Sequence, residues 1–566
     1  MHIELKPLPE PEKVNSLMHA LGVDAIVAKL LVQRGVETFD EAHRFFRPKL
    51  EHLHDPFAML DMDKAVSRII SALAQQENIM VFGDYDVDGT TAVALVSSFL
   101  EKQGAQITTY IPDRYTEGYG ISYQSIDAAK ADNVKLIIAL DCGIKSVDHV
   151  AYAASLGIDY IICDHHRPGE VLPNAVAILD PKRADCTYPY DELCGCGIGF
   201  KLVQGLDLKM DLNTNLLPYL DLVATATAAD IVPMTGENRI LAHYGMAVIN
   251  QMPRPGIQAL LERQKKSRYT IRDVVFTVAP RINAAGRMKS GTFAVELLTR
   301  FELDEARRCS VQIEDFNTER RLLDRSITEE ALEQIVANNE VNHASTVVYD
   351  PNWHKGVIGI VASKLIETHY RPTLVFTKSG DKLAASARSV KGFDLYNALE
   401  KCSEHLIQFG GHMYAAGLTM EEANYPAFKA AFEQVVLEDL KPSDREATLT
   451  VDLEVSFEEL SPKTLRILKQ LEPYGPENMQ PLFLTRNLFN SGADRLVGTE
   501  KNHLIMDAVK ERDCRETNLT YKAVGFGFGD QFDKIANQRT FDLVYAVEEN
   551  EYQNTITNQL YIKHLS

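Results

Sequence analysis

Three carboxylates stand at alternate positions in Val81-Phe-Gly-Asp84-Tyr-Asp86-Val-Asp88-Gly89-Thr-Thr-Ala92. Asp is disfavoured inside strands, and three Asp so close together repel one another. A fold keeps such a cluster where cations neutralise it. More chemistry follows other apolar runs: Asp141 after Leu136–Leu140, Asp164-His165-His166 after Tyr160–Cys163, and Asp230 at the end of Ala224-Thr-Ala-Thr-Ala-Ala-Asp230. An EF-hand loop also opens D-x-D-x-D-G but needs Glu at its twelfth position; here that position is Leu95. Several carboxylates with one or two imidazoles and no thiolate suit the hard ions Mn²⁺ or Mg²⁺, with Mn²⁺ favoured by the imidazole. The carboxylates are too many for one ion, so two ions sharing a bridging Asp are expected. Such pairs, about 3.5–4 Å apart, activate water and stabilise the leaving oxygen in phosphoryl transfer.

The elements that must carry these groups alternate between β and α from residue 78. Strands are expected at Ile79–Phe82, Gln106–Ile111, Leu136–Leu140, Tyr160–Cys163 and Ala175–Leu179, with helices at Ala92–Lys102, Tyr123–Ala131 and Val147–Ser155. Continuous apolar strands of this kind form a parallel sheet covered on both faces, and ligands gather at the carboxyl ends of its strands. The polar groups above fall there. Before it, Val14–Ala20, Val23–Arg34 and Asp63–Gln75 read as a helical lead-in packing on this first domain, residues 1–75 against 76–300.

Composition sets limits. The 566 residues hold 59 Lys and Arg against 79 Asp and Glu, a net charge of −20, which argues against non-specific adhesion to nucleic acid over the whole surface but not against a basic groove. No run of about 18 apolar residues is present to span a membrane. Met1-His-Ile-Glu-Leu-Lys lacks the basic-then-apolar order of a secretory signal. Eight Cys, among them Cys142, Cys163 and Cys309 on apolar segments, read as reduced thiols of a cytoplasmic protein. Cys194-Gly-Cys196 has no second pair at zinc spacing.

Further along, Pro280-Arg281-Ile-Asn283-Ala-Ala-Gly286-Arg287 sets two Arg among small residues, and Arg suits phosphate through its bidentate fork. Residues 303–338 contain no Gly or Pro and predict one long helix, a rigid connector over 301–340 of roughly 50 Å. A second domain at 341–440 offers His354-Lys355-Gly356-Val-Ile-Gly359, a Gly-flanked helix start able to receive a phosphate, then Ser386-Ala-Arg388 and Phe409-Gly-Gly-His412. Short alternating segments over 441–566 predict a small barrel or sandwich, with the Pro473-Tyr474-Gly-Pro-Glu-Asn478 loop offering a ring for stacking.

Taken together, VFGDYDVDGTTA, LDCG, CDHHRPGE, TAADIVP and FGGHMYAAG resemble the DHH phosphoesterase superfamily, and within it the RecJ-type single-strand-specific 5′→3′ exonucleases, over nearly the whole chain. The departures are Cys163 before the Asp-His-His and the second Cys of LCGCGIGFK. The resemblance implies an α/β multidomain fold: a parallel-sheet DHH domain, a connector helix, a DHHA1-type domain and a C-terminal OB-fold barrel. It implies two-metal hydrolysis of single-stranded DNA in repair and recombination, with Asp84, Asp86, Asp88, Asp141, His165 and Asp230 as metal ligands. Asp141 would be the bridge, His166 a phosphate contact and Asp164 the group orienting the imidazoles. Ser386, Arg388 and Arg281 would hold a 5′-terminal phosphate, with Arg114, Arg287, His354, Lys355 and His412 as further substrate contacts. It further implies a monomer whose partners are single-stranded DNA, a single-strand-binding protein and a helicase. The competing expectation is a DHH phosphodiesterase for short oligonucleotides or cyclic dinucleotides, and a third is a non-catalytic relative that binds single strands or scaffolds a replisome; such relatives lose metal ligands, and none is missing here.

Overall fold

In the computed structural model, which describes residues 2–510, 519–536, 540–552 and 555–566, five apolar runs pair as an all-parallel sheet. The order is Gln106–Tyr110, Asn78–Gly83, Val134–Leu140, Asp159–Cys163, Ala177–Leu179. The chain goes to one side of Asn78–Gly83 first and to the other side next, so the order reverses beside this strand, where such sheets open a crevice. Gly83, Leu140, Cys163 and Leu179 lie opposite one another in register. The residues that follow them are Asp84, Asp141, Asp164 and Asp180, four aspartates in a row along one edge. The helix Val87–Lys102 starts five residues earlier than its apolar run predicts. Asp86 caps it, its carboxylate accepting from the Gly89 amide at 3.1 Å.

The same compact unit, His54–Val232 with Tyr244–Ala447, continues through the helix Leu303–Ala337 of 35 residues. Ile327, Ala331 and Ile335 on that helix share a core with Val348, Val361 and Leu365 of the next lobe. That lobe has a five-stranded sheet ordered Gln408–His412, Ala415–Met420, Lys382–Arg388, Thr373–Ser379, Thr346–Tyr349. Its last pair is parallel and the rest are antiparallel. Helix Ile358–Thr368 follows the Gly-flanked start expected at 354–359.

Met1–Leu53, Pro233–His243 and Thr448–Ser566 form the other unit. Phe483–Asn490 pairs with both Phe541–Tyr552 and His503–Val509, while Thr555–Leu565 joins Phe541–Tyr552 to Thr520–Gly525, which closes a barrel. The N-terminal segment does not pack as the sequence predicts. Val14, Leu17, Ile26, Val27, Leu30 and Leu31 share one core with Phe483, Leu543, Tyr545 and Ile562 of the barrel, and His2–Leu5 runs parallel to Thr448–Val451. Helix Met62–Ala74, by contrast, sits in the unit of the parallel sheet. The apolar faces of Pro11–Leu21 and Ala25–Val32 had to be covered, but periodicity cannot say by what. Tyr474 is no free stacking ring either: it packs on this core and donates to the Leu468 carbonyl at 2.8 Å. Its loop is fastened by Arg239, which donates to the carbonyls of Leu471 and Pro473 at 2.9 and 3.3 Å and lies 3.7 Å from the Phe45 ring centre.

No single helix among the described residues is long and apolar enough to cross a membrane. A chain ending at residue 447 should expose the Leu17, Val27, Leu30 and Leu31 side chains, each costing about 1.5–3 kcal/mol to return to water. It should bind an apolar dye and aggregate, and removing residues 2–53 as well should suppress most of that signal. A clean, dye-silent 1–447 chain would contradict the shared core.

Candidate metal centre

The aspartate row becomes a site because other elements close on it. Asp141 takes a left-handed backbone, φ 61°, and its amide donates to the Cys163 carbonyl at 2.9 Å. A Cβ at Gly195 would lie 2.6 Å from the Asp141 Cβ, so only glycine lets the helix Gly195–Lys209 come this close. The N-terminus of that helix points its Gly195 and Cys196 amides at the Asp88 carboxylate, at 2.6 and 2.7 Å, which stabilises negative charge there. Gly89 is needed for the same reason, since its Cβ would lie 2.4 Å from the Asp84 carbonyl oxygen. Helix Leu220–Ala229 delivers Asp230 as the residue that ends it.

These elements surround one nitrogen. His165 Nε2 lies 3.1 Å from Asp141 Oδ1, 3.6 Å from Asp230 Oδ2 and 3.7 Å from Asp88 Oδ2. One imidazole cannot neutralise three carboxylates. Burial and then mutual repulsion push Asp88 up to about 6 and Asp230 up to about 8, and raise Asp141 well above the usual carboxylate range. Burial, with the neighbouring His166 second, depresses His165 to about 3. Asp84 is 1% exposed, and its Oδ1 has no hydrogen-bond partner, as is true of His165 Nδ1. Burial and then Asp86 raise Asp84 strongly, while the Tyr85 and Gly120 amides and Arg114 oppose the shift. Clustered buried acids with unused lone pairs and a neutral imidazole nitrogen form a donor set for hard divalent cations. Among the described residues, two candidate groups of ligand atoms are preassembled, Asp88–His165–Asp230 and Asp141–His165–His166. Asp84 and Asp86 stand outside both groups.

His166 is held differently. Burial would lower its basicity, but its Nδ1 meets Asp164 Oδ1 at 2.7 Å and that bond raises it. Asp164, in turn, is buried yet titrates below the usual range because His166 and the Ile144 amide bond to it. The expected orienting role of Asp164 therefore reaches the His166 ring and the His165 amide, not the His165 ring.

A positive pole lies alongside, in the same unit. The Arg114 guanidinium covers the Tyr85 ring at 4.8 Å. Arg287 is pushed down to about 10 by burial first and then by Arg114, Arg388 and Arg320; its Nη1 donates to the Gly356 carbonyl at 3.0 Å. Arg388 is lowered by burial and Arg114, and donates to Ser386 Oγ at 3.2 Å. A Cβ at Gly359 would lie 2.8 Å from that Oγ. Tyr115 links the lobes by donating to the Arg287 carbonyl and stacking edge-on against His354 at 5.9 Å.

Not every expected substrate residue converges. Arg281 is engaged by Glu314 at 2.5 Å and by the Thr277 carbonyl at 2.8 Å. Lys355 is exposed and reaches Ser379 Oγ at 3.2 Å. His412 is exposed on the edge strand, two strands away from Arg388. Conversely, the structure adds Arg320, Tyr85, Tyr119 and Asp180 to the surroundings of the site. Arg320 sits among many charged residues on the connector and gives no signal of its own. Asp180, fully buried, with one oxygen unpartnered and pushed up to about 7 by burial, follows an expected strand and was detectable by that rule.

Residues 78–227 match the DHH family, N-terminal domain; 341–438 match the DHHA1 domain; 451–564 match the RecJ OB domain. The chain is 36% identical to the single-stranded-DNA-specific exonuclease RecJ of Bacillus subtilis strain 168, covering 98% of this chain and 70% of that protein. It is 33% identical to the enzyme of the same description from Salmonella typhimurium, covering 95% of each. The fold superposes on RecJ in complex with Mn²⁺ from Thermus thermophilus with a TM-score of 0.84 at 27% identity, over 100% of this chain and 79% of that one.

The raised acids predict a pH signature. A carboxyl with a folded-state pKa above its unfolded value stabilises the fold below the unfolded value, and the benefit is lost as pH rises through the folded one. For Asp88 and Asp230 that loss runs from about pH 4 to about pH 8. The chelated protein should therefore melt at lower temperature at pH 8 than at pH 5.5, and added Mn²⁺ should raise melting more at pH 8. A metal-induced shift that shrinks with rising pH would contradict this cluster.

Proposed function

Because the chain belongs to the RecJ family of the DHH phosphoesterases, we propose that it hydrolyses single-stranded DNA from its 5′ end, releasing nucleotides, in repair and recombination. The observation that carries this reading is the pairing of two uncompensated poles in one unit: the crowded acids around His165 Nε2 and the half-buried Arg114–Arg287–Arg388 group. A phosphodiester ending in a phosphate complements both.

The donor set fits two divalent ions, Mn²⁺ or Mg²⁺. Asp88, Asp141, Asp230 and His165 would hold them, with Asp141 shared and Asp86 completing the set. Asp84 has the weaker case, since the Gly120 and Tyr85 amides already bond to it. The chemistry such ions supply is activation of water and neutralisation of charge on the phosphoryl group. The chain's own groups do the rest. Asp164 fixes His166 by Nδ1, which leaves Nε2 to donate toward a phosphate oxygen as charge develops there. Arg388, Arg287 and Arg114 take the terminal phosphate, and Arg320 adds charge from the connector helix. Gly359, where a Cβ would lie 2.8 Å from Ser386 Oγ and 3.1 Å from Arg388 Nη2, leaves those two groups room to reach the phosphate. A terminal-phosphate pocket accounts for 5′→3′ direction, because an internal phosphate cannot fill it. The barrel favours a polymer over a short oligonucleotide, since OB-folds track single strands.

Asp141→Ala should abolish Mn²⁺-dependent nucleotide release, a loss of at least about 10³-fold, read on a 5′-labelled single strand. Retained activity would remove Asp141 from the metal set. Arg388→Ala should raise KM for a 5′-phosphorylated strand more than for a 5′-hydroxyl strand, by roughly tenfold for one lost charged contact. Equal losses on both strands would take Arg388 out of the terminal pocket.

A further inference from the structure

The loop between strand Gln106–Tyr110 and helix Tyr123–Ala131 carries Arg114 and Tyr115, but also a residue that the hydrolysis scheme leaves unused. Tyr119 is 58% exposed, yet its hydroxyl is directed inward. It lies 3.3 Å from His166 Nε2 and 3.3 Å from the Asp141 backbone carbonyl oxygen. The ring stands edge-on to His166 at 6.0 Å and to Tyr85 at 6.4 Å. Gly118 and Gly120, at φ 87° and 76°, flank it, and a Cβ at Gly118 would meet nothing within 4 Å. Those glycines serve backbone conformation, not close packing, and Asp84 pins the far side of the turn through the Gly120 amide.

The donors can be counted. Tyr119 has one proton to give, and the Asp141 carbonyl oxygen and, in one tautomer, His166 Nε2 can each accept it. His166 Nδ1 meets Asp164 Oδ1 at 2.7 Å, so the ring is held at both nitrogens, by Asp164 at one and by the Tyr119 hydroxyl at the other. We propose that Tyr119 is a positioning residue: its hydroxyl fixes the ring plane of His166, so that Nε2 faces the site where the phosphate oxygen will sit. This deepens the hydrolase reading and rests on it for the role of His166. Both Tyr119 contacts are long for O–H hydrogen bonds, as is common for catalytic contacts before substrate arrives. A phosphate oxygen entering beside Tyr119 would meet Nε2 without the ring having to rotate.

Tyr119→Phe keeps the ring and removes the hydroxyl. In the Mn²⁺-loaded full chain kcat should fall roughly tenfold, the loss usual for a partner that orients a ligating or catalytic imidazole, with KM for a 5′-phosphorylated single strand unchanged within about twofold. The same change in a His166→Ala background should cost nothing further, because the two residues act as one unit. In the metal-free full chain labelled with [¹⁵N]histidine, Tyr119→Phe should shift the His166 Nε2 resonance and leave His354 and His412 unmoved. An unchanged kcat, a KM effect alone, full additivity with His166→Ala or an unmoved Nε2 resonance would each overturn the proposal. If the wild-type chain releases no nucleotides from single strands, the hydrolase reading fails, while the resonance still decides whether Tyr119 holds His166.

Discussion

Everything around the sheet edge answers to the repulsion between buried carboxylates. Parallel pairing sets neighbouring strands about 4.8 Å apart, and the register puts an Asp directly after each of four adjacent strands. Left alone, these groups would protonate instead of staying ionised in a low-dielectric crevice. The structure answers in three ways. A helix N-terminus takes both oxygens of Asp88. Amides and one imidazole take most of Asp164. Asp141, Asp230 and one oxygen of Asp84 are left waiting for charge from outside the chain.

That demand explains the glycines as well. Gly89 and Gly195 are where backbone must pass the acids with no side chain between, and each would clash at 2.6 Å or less with a Cβ in place. The neighbouring positive pole is strained in the opposite sense. Arg287 and Arg388 are half-buried among other guanidiniums instead of carboxylates, so desolvation and like charge lower both. Two sets of like charges, each unstable by itself, lie on either side of Tyr85, which Arg114 covers from one side and which Asp84 and Asp86 flank. The proposed substrate, with its phosphodiester and terminal phosphate, would relieve both. The connector helix Leu303–Ala337 supplies the stiffness such an arrangement needs, since it shares a core with the lobe that carries Arg388.

The other unit shows a different economy. Its barrel core is completed by helices from the start of the chain, and Arg239, from a short intervening segment, ties down the loop that holds Tyr474. A buried guanidinium bonded to carbonyls fixes a loop conformation that a hydrophobic side chain could not specify.

By itself, the sequence determined the parallel sheet, the long connector, the second α/β lobe and the acidic and histidine positions at strand ends. Each of these is written locally, as apolar runs of a given period followed by groups that a strand interior would reject. Asp84, Asp86, Asp88, Asp141, His165 and Asp230 were legible for that reason. Only tertiary structure decided what each group meets. It turned Arg281 toward Glu314, Lys355 toward Ser379 and His412 onto an exposed edge. It brought Arg320 and Tyr119 to the site and seated residues 2–53 on the barrel. The physical reason is that a side chain's periodicity reports which face is buried, while its partner is set by chain segments hundreds of residues away, whose approach depends on packing that no local pattern encodes.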